Sequence, residues 1–228
     1  KTELTLMNKY MTGCFYASLL FLLGFSAFSA NAREFVMSYD GFYDRLKVVN
    51  KGDFQYARVN FYISDIATNE ACAIKNGTIL TENNEYPLNF TDSAQLLLPF
   101  DKQLDSDKAV IVIEPQNPEH DCQLKLQIEA NEFDDLAFSK HALYTINEEL
   151  DELLTDLSGF FVSKLMWFLL PEQKGVAVTF KNPISINDEN VTCEESICYF
   201  DVDDNWEEDS QSFGEISNVL KVTPWIAK

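Results

Sequence analysis

Positive charge is what this chain most lacks. Seventeen basic residues stand against 37 acidic ones, a net charge of −20 over 228 residues. Such a field repels phosphate backbones and anionic headgroups, so nucleic acid is excluded as a partner and contact with a membrane surface is disfavoured. Only Arg33, Arg45 and Arg58 are arginines. Arginine is the usual side chain for bidentate recognition of carboxylate or phosphate, which argues against a site built on an arginine cluster. Glycine is also sparse, with eight residues in all, and no phosphate-cradling loop is found among them. The two histidines, His120 and His141, form no H-E-x-x-H motif, and no G-x-S-x-G elbow is present. No motif calls for a cofactor or nominates a catalytic residue.

The richest apolar run lies at the start. Residues 7–32 read MNKYMTGCFYASLLFLLGFSAFSANA. Met7 can start translation and Lys9 gives a positive n-region. Phe15 to Phe28 form an apolar h-region, and Ala30-Asn31-Ala32 is a small-x-small cleavage site. The run is too short for a transmembrane helix. Met11-Thr12-Gly13-Cys14 resembles a lipobox, but a lipobox cysteine follows the apolar region and Cys14 precedes it. The expectation is a signal peptide over 7–32, cleaved between Ala32 and Arg33, and a periplasmic or secreted protein. Residues 1–32 hold two lysines and one glutamate, so the remainder carries −21.

Export changes how the cysteines are read. Cys72, Cys122, Cys193 and Cys198 allow three disulfide connectivities. Strand-like flanks favour Cys72–Cys122 with Cys193–Cys198. Closing the first loop removes about 4 kcal/mol of unfolded-state entropy in the chain-entropy picture, and the second about 2 kcal/mol. A redox role for the second pair is disfavoured. Four residues separate the thiols rather than two, and the acidic neighbours raise a thiol pKa. No histidine pair completes a zinc site.

Element signals alternate along the exported part. FVMSY at 35–39 reads as a strand. Phe42, Leu46 and Val49 repeat at helical spacing behind Asp40, an expected N-cap. In FQYARVNFYI, 54–63, Tyr56, Arg58, Asn60 and Tyr62 alternate with Ala57, Val59, Phe61 and Ile63, the pattern of a half-buried strand. Strand signals dominate 72–130. From Ser139 the period changes: Leu143, Ile146, Leu150, Leu153, Leu154 and Leu157 share one helical face, with Ser139 or Thr145 as N-cap. LSGFFVSKLMWFLL, 157–170, is apolar all round, which predicts a buried helix. Gly159 is a place to break it and Pro171 ends it. Strands return from 175 to the end. The fold class is α+β: an antiparallel β-rich sheet or small sandwich, disulfide-stapled, with a long helical segment packed on it. Residues 33–228 read as one unit, with two lobes at 33–138 and 139–228.

Asp201-Val-Asp203-Asp204-Asn205 comes nearest to a cation site. Asp201, Asp203 and Asn205 match the first three EF-hand ligands. Trp206 stands where the loop needs glycine, and Ser212 where it needs glutamate, so an EF-hand is excluded and only a surface cation site on these three residues remains. Three N-x-[ST] matches, at Asn76, Asn89 and Asn190, are given no role.

Four segments carry a resemblance: SYDGFYDRLKVVNKG at 38–52, LLLPFDKQLDSDKAVIVIE at 96–114, DLSGFF at 156–161 and the closing VTPW at 222–225. Together they resemble an uncharacterised family of exported proteins from marine gammaproteobacteria, grouped as a domain of unknown function. The resemblance implies an envelope or periplasmic location and carries over no activity and no site residues. The resulting expectation is a non-catalytic periplasmic binding or envelope-accessory protein. Its partner would be an envelope protein or ligand, met through exposed aromatics of 54–62 and the acidic 201–209 loop. The alternative is a hydrolase acting on envelope polymers through a carboxylate pair. N-terminal sequencing of the protein recovered from a periplasmic fraction is expected to begin at Arg33; an exported form that retains residues 7–32 would overturn the cleavage assignment.

Overall fold

The computed structural model describes residues 34–117, 119–133, 137–165 and 173–226. Strand β1 (Phe35–Ser38) leads into helix α1 (Asp40–Lys51), then β2 (Arg58–Asp65), β3 (Ile74–Leu80), β4 (Glu85–Pro87), β5 (Asn89–Phe90) and β6 (Leu96–Leu97). A short helix α2 (Lys102–Ser106) precedes β7 (Val110–Pro115), β8 (Cys122–Glu129) and β9 (Phe138–Ser139). The long helix α3 (Lys140–Leu165) is followed by β10 (Gln173–Phe180), β11 (Val191–Glu194), β12 (Ile197–Asp201), β13 (Ser212–Gly214) and β14 (Val219–Ile226). The α+β class with several antiparallel sheets and one main helix agrees with the sequence expectation.

Two four-stranded antiparallel sheets, ordered β1-β7-β3-β4 and β11-β12-β10-β14, frame the molecule. A separate two-stranded ribbon pairs β2 with β8, in register from Arg58 opposite Glu129 to Asp65 opposite Cys122. Its alternation is as expected: Val59, Phe61 and Ile63 are buried. Pro224 sits in β14, an edge strand, where its missing N–H costs no ladder bond on the outer side.

Helix α1 begins one residue before its expected start. Tyr39, rather than Asp40, is the N-cap, already at helical φ and ψ. The physical reason is its anchoring: Tyr39 is fully buried, its N–H donates to Ala109 O, and its hydroxyl donates to Pro99 O. Helix α2 escaped the sequence reading because it is a single turn, started by the Asp101 carboxylate accepting from Gln103 N at 2.7 Å.

For α3, Ser139 is the cap, its Oγ accepting from Ala142 N at 3.3 Å. Leu143, Ile146, Leu150 and Leu153 are buried, and Leu154 and Leu157 pack against the same core. Gly159 interrupts the helix at φ 76°, ψ 160°, a region open essentially to glycine alone. The side chains of 160–170, which the sequence marks as a buried apolar stretch, lie outside the described residues. A cluster of rings joins β9 to the second sheet: Phe138 meets Phe180, Phe200 and Phe213, and Phe200 meets Trp206 edge-on. Buried side chains of both halves form one continuous core.

Both disulfides form in the favoured pairing, Cys72–Cys122 and Cys193–Cys198. The first ties the loop after β2 to the start of β8; the second closes the β11–β12 hairpin.

Gly175 shows where backbone packing dictates a residue. A Cβ there would stand 2.0 Å from the Phe200 carbonyl oxygen of the neighbouring strand. Gly175→Ala is therefore expected to lower stability by about 2–3 kcal/mol in urea unfolding, an overpacking cost. A change below about 0.5 kcal/mol, the scale of a neutral surface substitution, would mean β10 and β12 do not approach this closely.

Candidate functional site

The β2–β8 ribbon has two chemically different faces, and a cavity lies against each. Both follow from strict alternation in CQLKLQIE. Cys122, Leu124, Leu126 and Ile128 point one way; Gln123, Lys125, Gln127 and Glu129 point the other.

The polar face centres on Glu129, which has no exposure to solvent. Its Oε1 accepts from Asn60 Nδ2 at 2.8 Å and from the Tyr62 hydroxyl. Its Oε2 faces Lys221 Nζ of β14 at 3.4 Å and accepts no hydrogen bond among the described residues. Lys221 also lies over the Tyr62 ring, 5.7 Å from its centroid. Arg58, directly across the ladder from Glu129, turns its guanidinium elsewhere. It donates to the carbonyls of Phe54, Gln55 and Ala57 at 3.0, 3.0 and 2.9 Å. Burial first, and then the bond and charge of the Glu129 carboxylate, hold the Tyr62 phenol well above its ordinary value near 10. Beside this cluster opens a cavity of about 170 Å³, lined by Tyr62, Asn69, Ser93, Lys125, Gln127 and Lys221 among others.

The apolar face carries Phe61, Leu124 and Leu126. With Met37 of β1 and Phe42 and Arg45 of α1, these line a cleft of about 250 Å³. Phe42 meets Phe61 edge-on at 4.9 Å. Leu124 and Leu126 each keep 40% of their surface exposed. Arg45 stands at the rim, its Nη1 donating to Gly41 O at 2.6 Å. Among the described residues β8 pairs only with β2, apart from one bridge just past its end, Ala130 to Val222. Along Cys122–Glu129 no other described strand pairs with its outer edge, and Leu124 and Leu126 of this strand line the cleft.

A larger cavity, about 350 Å³, is lined by Tyr86, Leu88, Leu97 and Leu104 with Asp101 and Asp107. Both carboxylates accept from Gln103, at its backbone N and its Nε2, and so serve α2.

The sequence-named cation residues have local partners. Asp203 Oδ1 accepts from Asn205 N and Nδ2 at 2.8 and 2.7 Å, starting a 3-10 turn over Asp204–Glu207. Asp201 ends β12 and is exposed. Of the aromatics of 54–62 expected to be exposed, Phe54 and Tyr56 pack against the core and Tyr62 is bonded to Glu129, while Phe61 is buried as the alternation predicts. β14 and α1 pack against the ribbon, which alternation alone leaves half-open. Asp65, Cys72 and His120 also converge, with ligand atoms within 4.8 Å of one another. Cys72 is held in its disulfide and offers no thiolate, which leaves two ligands. No helix among the described residues is long and apolar enough to cross a membrane.

Glu129 was hidden in sequence among 37 acidic residues. Its place on the polar face was legible from the alternation; its burial was not. Removing it leaves the Asn60 and Tyr62 donors and the Lys221 charge uncompensated. Glu129→Ala is expected to cost about 3 kcal/mol in urea unfolding. The Tyr62 phenol is kept neutral by the fold, so its contribution is complete below pH 10 and is lost as pH rises above that value. Stability is expected to fall above pH 10, and to fall less steeply in Tyr62→Phe. An identical alkaline slope in the two proteins would separate Tyr62 from the effect.

No curated protein and no solved structure matches this chain. A family model matches residues 31–180, which include α1, the whole ribbon, the cleft and the Cys72–Cys122 bridge. Lys221, the second disulfide and the closing VTPW lie beyond the match. With well over half of its length matched, the chain belongs to the family described as "Protein of unknown function (DUF2987)".

Proposed function

We propose that this is an exported, non-catalytic binding protein of the periplasm or envelope, and that its partner is an extended, apolar segment of another envelope protein. The observation that carries this reading is a β8 edge unpaired among the described residues, on a strand whose Leu124 and Leu126 line the apolar cleft. An extended chain laid along that edge gains main-chain hydrogen bonds, and its alternate side chains reach the cleft. Leu124 and Leu126, half-open on either side of Lys125, supply the apolar floor. Exposed apolar surface of this kind marks interaction sites on soluble proteins. The N-terminal segment and the two disulfides support export, because such bridges persist in oxidising compartments.

Photo-crosslinking in living cells tests this. With a benzophenone amino acid at Leu124, a discrete crosslinked species is expected. It should disappear when Leu126→Asp is added. The same probe at Leu220, somewhat more exposed on β14, should give none. Equal adducts at the two positions, or none at Leu124, would remove the ribbon edge as the binding surface.

A further inference from the structure

The polar cavity on the other face of the ribbon has a separate chemistry. In a chain of net charge −20, two ammonium groups, Lys125 and Lys221, line one cavity. Among the described residues Lys221 pairs only with Glu129, and Lys125 has no ion-pair partner. Asp65, on the same ribbon, is turned into the backbone, its Oδ1 accepting from Ala67 N and Thr68 N at 2.9 Å each. Two ammonium charges less one buried carboxylate leave a single positive charge at the cavity. Asn69, Ser93 and the side-chain carbonyl of Gln127 add neutral donors and acceptors around it, while Gln127 Nε2 is engaged with Ile128 O at 3.2 Å.

A buried carboxylate is costly, and an apolar pair of similar volume is often at least as stable. Here Glu129 holds one ammonium at the cavity wall, a placement that apolar side chains could not give. We infer that this cavity binds a small hydroxylated monocarboxylate, an acidic sugar or hydroxy acid. Its carboxylate sits between Lys125 and Lys221, and its hydroxyls meet Asn69, Ser93 and Gln127. A monoanion balances the local charge. A phosphate dianion exceeds it, in a protein whose overall field already opposes anions. The site is on the opposite face from the peptide cleft and stands without it.

The test is a two-dimensional amide NMR titration of the exported chain with D-glucuronate, D-glucose and inorganic phosphate. Saturable shifts at Asn69 and Gln127 are expected with glucuronate, with glucose and phosphate each at least about tenfold weaker. Lys125→Gln should weaken glucuronate by at least about tenfold, the loss of one charged contact, with the spectrum otherwise preserved. That variant leaves no buried group unpaired, whereas Lys221→Met would strand Glu129. Absence of saturable shifts up to about 20 mM glucuronate, beyond the millimolar range of weak ligands, overturns the site. Unchanged affinity in Lys125→Gln overturns it as well. Phosphate or glucose binding as tightly as glucuronate overturns the monocarboxylate assignment.

Discussion

A carboxylate without access to water must be compensated by its neighbours, and Glu129 draws its compensation from two other strands. Asn60 and Tyr62 come from β2, Glu129 itself from β8, and Lys221 from β14. The cluster therefore fixes more than one side chain. It sets the register of the ribbon, since a slip by one residue would put Glu129 on the apolar face. It also sets where β14 crosses the end of β8, next to the paired backbone bonds between Ala130 and Val222, both 2.8 Å.

A second carboxylate works in the same way at the same end of the ribbon, where β2 begins. Glu149, on the face of α3 beside the buried Leu150 and Leu153, accepts from three successive backbone N–H groups, Gln55, Tyr56 and Ala57, at 3.0, 2.7 and 2.9 Å. These amides precede β2 and have no ladder partner of their own. The helix thereby supplies what the sheet cannot, and the entry of β2 is tied to α3 across more than 90 residues of sequence. Lys140 at the start of the same helix reaches Asp188 and Asp209 at 3.4 and 3.6 Å and covers the Trp206 ring, joining the acidic loops to the helix cap. Much of the acidic excess is thus solvated surface, while a few carboxylates are structural because each meets N–H or ammonium groups that nothing else satisfies.

The ribbon is consequently a partition. One face holds an apolar cleft, the other a polar cavity with two ammonium groups. The two share β8, whose alternation gives each cavity every second residue. The Cys72–Cys122 bridge pins the far end of that strand, and the Glu129 cluster pins the near end.

Period and composition determined a good deal by themselves: the antiparallel strands, the α3 face from Leu143 to Leu157, the break at Gly159 and a preference for the disulfide pairing that forms. Each is encoded within a short window, by alternation, by helical spacing or by cysteine context. The choice of Ser139 over Thr145 as cap came from the structure. What only the tertiary structure decided is which polar residue is buried and which aromatic is covered. Glu129 and Glu132 differ little as letters, yet only the first lies beneath β14. Tyr62 reads as an exposed aromatic on the open side of a half-buried strand until Glu129 and Lys221 meet it there. Burial is a property of what packs on a strand, and the elements that pack on this one come from 20 residues before it and from 160 after it.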